Sequence, residues 1–310
     1  MSTLFGVILP YAAIAIFILG ILYKVVKWGR SAVPFRIPTT CAQAETLPWI
    51  KRKPHEKLDN PSNNLAMVGR MLLEVLIFRS LWRNTRAEIK ADKQKLIYSG
   101  SKFLWLFGLL FHWSLLVILI RHCRLFFEPV PWILDVVENI DGMFEIVIPT
   151  LYLTDIIILL AVTYLFFRRV VFSQMRYISL LADYFALLLI GGVAVTGVCL
   201  RIFFHTDVEA VKELAMSVLR FSPEVPEQSI SWLFYLHLAM VCTLLAYFPF
   251  SKLMHAAGIF FSPTRNMANT NRVKRHVNPW DYPVKVHPYH EYEEEFHDKM
   301  EQAGLPLEKE

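Results

Sequence analysis

Four histidines sit where the sequence is otherwise built for lipid. His112 and His122 lie ten residues apart in GLLFHWSLLVILIRHC, and His237 and His255 lie eighteen apart in a second apolar stretch, 230–261. Ionisable side chains inside membrane-length segments are costly and point to function. Neutral imidazole can ligate a metal, an iron held in haem included, or relay a proton. Replacing a histidine by leucine would relieve the cost of burial, so keeping four in two segments points to paired ligands more than to isolated hydrogen bonds.

The elements that must carry them are membrane spans. The chain has 310 residues, 55% of them hydrophobic, above the usual share for a soluble domain. The excess collects in five blocks, at 5–26, 102–126, 146–167, 177–204 and 230–261. Each reaches the ~20 residues that cross a bilayer core. Lys24 and Lys27 follow the first block and nothing basic precedes it, which is not the pattern of a cleaved signal peptide and places the N-terminus outside. The loops then alternate. The stretch 128–147 has Glu128, Asp135, Glu138, Asp141 and Glu145 and no base, and 168–176 has Arg168, Arg169 and Arg176. The stretch 205–229 is acid-rich, and Lys252, Arg265, Arg272, Lys274 and Arg275 follow. The expected fold is an all-α integral membrane protein of five transmembrane helices, N-terminus outside and C-terminus cytoplasmic, in the cytoplasmic membrane. The net charge of +5 belongs to this topology and is no sign of nucleic-acid binding.

The expected organisation is a first helix at 1–26, a cytoplasmic loop at 27–101, a four-helix core at 102–261 and a cytoplasmic partner-binding tail at 262–310. The segment 64–84 is apolar but carries Arg70, Glu74, Arg79 and Arg83, which fits an interfacial or docking helix better than a span. Arg70 and Glu74, one turn apart, can pair. The tail is rich in proline, aromatics and mixed charge, and reads as an arm that lies on a partner. His287 and His290 read as solvated tail residues. The four cysteines, Cys41, Cys123, Cys199 and Cys242, are scattered, which excludes an iron–sulfur cluster and covalent haem attachment. Cys41, in RIPTTCAQ on the inner side, is the one to watch.

Ideal helices allow a test of pairing. The second and fifth spans run antiparallel, so His122 and His237 lie toward the outer face and His112 and His255 toward the inner. Each pair can clamp one haem iron, giving two b haems at two depths. A spacing of ten advances about 15 Å and one of eighteen about 27 Å, so tilt, bending and side-chain reach must absorb about 6 Å at each site. Arg121, Arg124 and Arg201, near the outer level, suit haem propionates or plain interfacial anchoring. Asp155, about nine residues into the third block, suits a quinone-site proton acceptor or an arginine partner. Asp183 suits pairing with basic loop residues, and His205 a loop position, a quinone site or an alternative ligand. The rival classes are a proton-path protein and a haem-free membrane anchor.

Five spans with histidines ten apart in the second and eighteen apart in the fifth resemble the gamma subunit family of respiratory nitrate reductases, dihaem cytochromes b. The segments KWGRSAVPFRIPTTCAQ, LPWIK and LEVLIFRSLWRNTR, and the tail string HVNPWDYPVKVH, resemble the membrane cytochromes of the sulfite-reduction-associated Dsr complexes. The resemblance implies bis-histidine ligation of an inner haem by His112 and His255 and an outer haem by His122 and His237. It implies electron transfer between a quinone pool, menaquinone in the first instance, and a cytoplasmic heterodisulfide-reductase-like iron–sulfur subunit in dissimilatory sulfur metabolism. Further implied partners are a periplasmic multihaem cytochrome c, an iron–sulfur protein and a second membrane subunit. On this reading the chain is the quinone-reactive electron-transfer subunit of a membrane oxidoreductase.

Overall fold

The computed structural model describes residues 2–31, 54–90, 95–142, 151–204, 206–226, 228–268 and 287–308. Four helices among them are long and apolar enough to cross a membrane: Leu4–Gly29, Lys102–Phe126, Leu181–Ile202 and Trp232–Phe250. Their outward faces carry exposed Ile18, Leu19, Leu119, Leu188 and Leu236, side chains that water would not tolerate in such density. The chain is a multi-pass membrane protein.

The first of these is α1 (Leu9–Gly29), entered through a π turn at Leu4–Ile8. After it come α2 (Pro54–Asp59), α3 (Asn64–Ile77) and α4 (Arg79–Arg83). An antiparallel ribbon comes next, β1 (Thr85–Lys90) with β2 (Lys95–Gly100), a short strand pair not expected in an all-α chain. The expected helix at 64–84 is therefore two helices. Asn63 caps α3 through the Ala66 amide, and Phe78, in the left-handed region at φ 52°, ends it. Glu74 is buried and accepts from the Ser80 amide at 3.0 Å and the Ser80 hydroxyl at 2.5 Å, which fixes the turn. Arg79 and Arg83 both bind Asp59.

The core is α5 (Lys102–His122), α7 (Leu153–Val171), α9 (Leu181–Ile202) and α11 (Trp232–Tyr247). Helix α7 packs on α5 and α9, α9 on α11, and α11 on α1. Phe111, Ile158, Ala161, Val162 and Ile190 form the buried centre. Two short amphipathic helices lie in connecting loops, α6 (Trp132–Asp141) between α5 and α7 and α10 (Val208–Leu219) between α9 and α11, and α8 (Ser173–Ile178) lies between α7 and α9.

Three boundaries differ from expectation, each for a physical reason. Helix α7 begins at Leu153, because the Asp141 carboxylate reaches across from α6 to accept the Thr154 amide at 2.9 Å and hydroxyl at 2.6 Å, and so caps it. Asp155 thus lies in the first turn rather than deep in a span. Helix α9 begins at Leu181, where Asp183 accepts the Leu180 amide at 3.0 Å. The last block is not one helix. It breaks after a 3-10 turn at Phe248–Phe250, since Pro249 has no amide to donate, and Ser251 is extended. The chain resumes through Lys252–Met254, α12 (His255–Gly258) and Ile259–Phe261, then α13 (Pro263–Asn266). Gly20 of α1 receives this break: a Cβ there would lie 2.5 Å from Pro249.

The tail, expected to lack periodic structure, contains α14 (Tyr289–Gln302), closed by Gly304 at φ 65° and by the Tyr289 hydroxyl on the Pro306 carbonyl at 3.1 Å. Cys41, His205 and most of the string 276–287 lie outside the described residues.

Candidate functional site

The structure brings His112 and His255 together. Their ring centroids are 5.8 Å apart, with the planes at 79°. Two imidazoles that bind one metal through Nε2, at ~2 Å each, place their centroids about 6 Å apart. The break at Ser251 makes this approach possible, because a straight helix would carry His255 about 12 Å beyond the level of His112. Phe78 and Phe111 close on His112 edge-on, at 4.9 and 5.0 Å. The strained Phe78 is positioned by the end of α3, whose last carbonyls are satisfied from α5: Trp105 donates to Ile77 at 2.7 Å and Trp113 to Leu76 at 3.0 Å. On the far side, Asp183 holds Lys252 at 2.7 Å, and Arg169 lies 3.9 Å from the same carboxylate. Asp183 thus pairs with basic residues, as its position implied.

His122 and His237 line one open cavity of about 500 Å³, within the range of cofactor sites. Gly197 gives the His237 ring its space, since a Cβ there would sit 3.3 Å from the ring.

All four imidazoles are oriented in the same way. The Nδ1 of His112 donates to the Gly108 carbonyl, that of His122 to Ile118 and that of His255 to Lys252, each at 2.7 Å. The Nδ1 of His237 donates to the Thr196 hydroxyl at 2.8 Å, whose own proton goes to the Gly192 carbonyl. A carbonyl only accepts, so His112, His122 and His255 carry their proton on Nδ1 and keep an Nε2 lone pair, and the Val193 carbonyl beside His237 favours the same tautomer there. That is the arrangement of a ligating histidine with its outer-shell partner in place. Among the described residues no group of three or more histidine, cysteine, aspartate or glutamate side chains could hold a metal ion alone. Paired imidazoles without further protein ligands fit an iron whose other ligands come from a macrocycle.

Three arginines surround the outer pair, each placed differently. Arg121 is buried between Asp141 at 3.1 Å and Asp155 at 3.2 Å, and its guanidinium lies 3.7 Å over the Tyr152 ring. Arg201 lies over the same ring at 4.1 Å. Arg124 pairs with Glu138. All three line the cavity. Asp155 does not, its carboxylate being turned to Arg121. The Tyr152 hydroxyl donates to Glu138 at 2.5 Å, and both residues line the cavity. Sequence reading did not single out Thr196, Gly197, Tyr152 or Glu138. A threonine in a span can satisfy itself on its own helix, and Tyr152 and Glu138 gain meaning only once α6 folds against α7.

The fold and site define a multi-pass helical membrane protein with two imidazole pairs, each built from α5 and the α11–α12 segment. The chain belongs to the nitrate reductase gamma subunit family, whose pattern matches residues 68–276 and so covers all four histidines. It is similar to the Hdr-like menaquinol oxidoreductase cytochrome b-like subunit of Archaeoglobus fulgidus, 47% identical over 284 residues, 90% of this chain and 84% of the relative. The protein of the same description from Archaeoglobus profundus is 44% identical over 276 residues, 88% and 81% of the two chains.

Proposed function

We propose that this chain is a dihaem cytochrome b that carries electrons across the membrane between menaquinol and a cytoplasmic iron–sulfur subunit. The carrying observation is the common orientation of the four imidazoles, each with Nδ1 anchored and Nε2 free, together with the 5.8 Å separation of the inner pair. The relatives' description as menaquinol oxidoreductase subunits supports the substrate, and their Hdr-like label supports a heterodisulfide-reductase-like partner. The membership of a Dsr-type complex in sulfur metabolism, with its periplasmic cytochrome c, iron–sulfur protein and second membrane subunit, rests on the sequence resemblance.

In this reading α7, third in chain order, also crosses the membrane and brings the spans to five, with its Arg168 and Arg169 at the inner end and the N-terminus outside. Two b haems, when bound, supply one-electron carriers at two depths. His112 with His255 and His122 with His237 would hold them. The guanidiniums of Arg121, Arg124 and Arg201 offer propionate partners at the outer cavity. Phe78 and Phe111 exclude water from the inner pair. Charge moved inward through the bilayer stores about 2.3 kcal/mol per charge per 100 mV.

A pyridine haemochrome assay and reduced-minus-oxidised spectra of the purified chain test this. About two non-covalent b haems per chain are expected, and one in His122→Ala with the protein still inserted. An intact fold without haem, or unchanged haem in the variant, overturns the ligation.

A further inference from the structure

We propose that Glu138, reached through the Tyr152 hydroxyl, is the proton acceptor for quinol oxidation at the outer cavity. The inference rests on the cytochrome reading above and deepens it.

A quinol that gives electrons to the outer site must also lose two protons, so a base has to stand at the cavity wall with a route to water. Three carboxylates lie near. Asp141 is spent on the Thr154 amide and hydroxyl and on Arg121, and its side chain is 4% exposed. Asp155 faces Arg121, is 10% exposed, and does not line the cavity. Neither has an exit. Glu138 lines the cavity and its side chain is 28% exposed, so one carboxylate meets both the ligand space and the outer water.

Tyr152 supplies the link. Its hydroxyl already donates to Glu138 at 2.5 Å, and its oxygen keeps a lone pair for an incoming hydroxyl. The ring cannot swing away, because the guanidiniums of Arg121 and Arg201 lie over it. A proton from the quinol can therefore pass to the tyrosine oxygen as the tyrosine proton passes to Glu138. Arg124 pairs with the same carboxylate and fixes its position at the cavity wall. The other charges lining the cavity are Arg121 from α5 and Arg201 from α9. The step balances. Menaquinol is oxidised to menaquinone, its two electrons leave one at a time to the ferric iron of the outer haem, and its two protons pass in turn through Glu138 to water.

The test uses membranes containing the full chain and a water-soluble naphthoquinol, with dithionite as the control reductant. Glu138→Gln is expected to keep the dithionite-reduced haem spectrum and both midpoint potentials. The rate of haem reduction by the naphthoquinol should fall ~10²-fold, the usual worth of a positioned base, in kcat rather than KM. Tyr152→Phe keeps the ring between its arginines and should show the same loss, and Glu138→Asp should recover part of the rate. A wild-type quinol rate in Glu138→Gln with the spectrum intact overturns the role of Glu138. Where Glu138→Gln loses haem, Tyr152→Phe decides in the same way, a wild-type rate overturning the relay. Absence of any b-type spectrum in the unsubstituted chain rejects the cytochrome reading instead, so the two failures are distinct.

Discussion

Thr196→Val isolates one hydrogen bond. The Thr196 hydroxyl accepts the Nδ1 proton of His237 at 2.8 Å and donates to the Gly192 carbonyl at 2.8 Å. Valine keeps the branched shape and removes both functions. The Gly192 carbonyl retains its place in the α9 ladder, so that loss is small. The imidazole N–H is left with the Val193 carbonyl as its neighbouring acceptor, so the lost partner costs up to about 1–3 kcal/mol. At 1.36 kcal/mol per decade this is about 5- to 150-fold in outer-haem affinity, in line with the ~10- to 100-fold typical of lost outer-shell partners. The inner pair draws its partners from Gly108 and Lys252, far from the change, and serves as an internal control. Haem content per chain after washing with apomyoglobin, followed by a redox titration, reads the effect: one of two components should weaken or shift. Thr196→Ser keeps the acceptor and should behave as the parent. Two unshifted components in Thr196→Val would refute the assignment of Thr196 as the partner that orients a ligand.

Gly20→Ala tests the break that brings His255 to His112. The new Cβ would lie 2.5 Å from the rigid Pro249 ring, so α1 and the break must part, at about 1–3 kcal/mol of overpacking. Lower thermal stability with preferential loss of the inner haem is expected by differential scanning and haemochrome assay. Asp59 tests the inner-side turn. Burial pushes its carboxyl up, but the hydrogen bonds and charges of Arg83 and Arg79 outweigh this and hold it below the usual carboxylate value. A folded-state value below the unfolded one gives stability that is full above about pH 4 and fades as pH falls through the lower folded value. Protection of 54–84 from an acid-active protease such as pepsin should decline over that window in the parent and be weaker and nearly flat with pH in Asp59→Asn.

The helical membrane architecture was legible because apolar blocks of span length need no tertiary context to be read. The structure also sets His112 beside His255, an approach that antiparallel helices allow. What could not be read was how the axial mismatch is resolved. Spacing left about 6 Å at each site to be absorbed. The structure places a break, at Pro249–Ser251, between His237 and His255, and leaves α11 continuous through His237. A proline in an apolar block signals a kink, yet its direction depends on Gly20 of a helix more than 200 residues away in sequence.

The charged residues show the same limit from the other side. Arg121, Asp155 and Asp183 stood out because charge within or beside a span is expensive, and that cost predicts a partner without naming it. Arg121 and Asp155 prove to be each other's partners, joined by Asp141. Glu138 drew no notice, since an acid in an acidic outer loop looks like solvated surface. Its significance arises only when α6 folds back and sets it against Tyr152, at the mouth of a cavity lined by two imidazoles. Buried, paired charges in this chain build the scaffold. The partly exposed carboxylate beside them is the one proposed to exchange a proton, and a search for chemistry in membrane proteins of this architecture should weigh access to water as heavily as depth of burial.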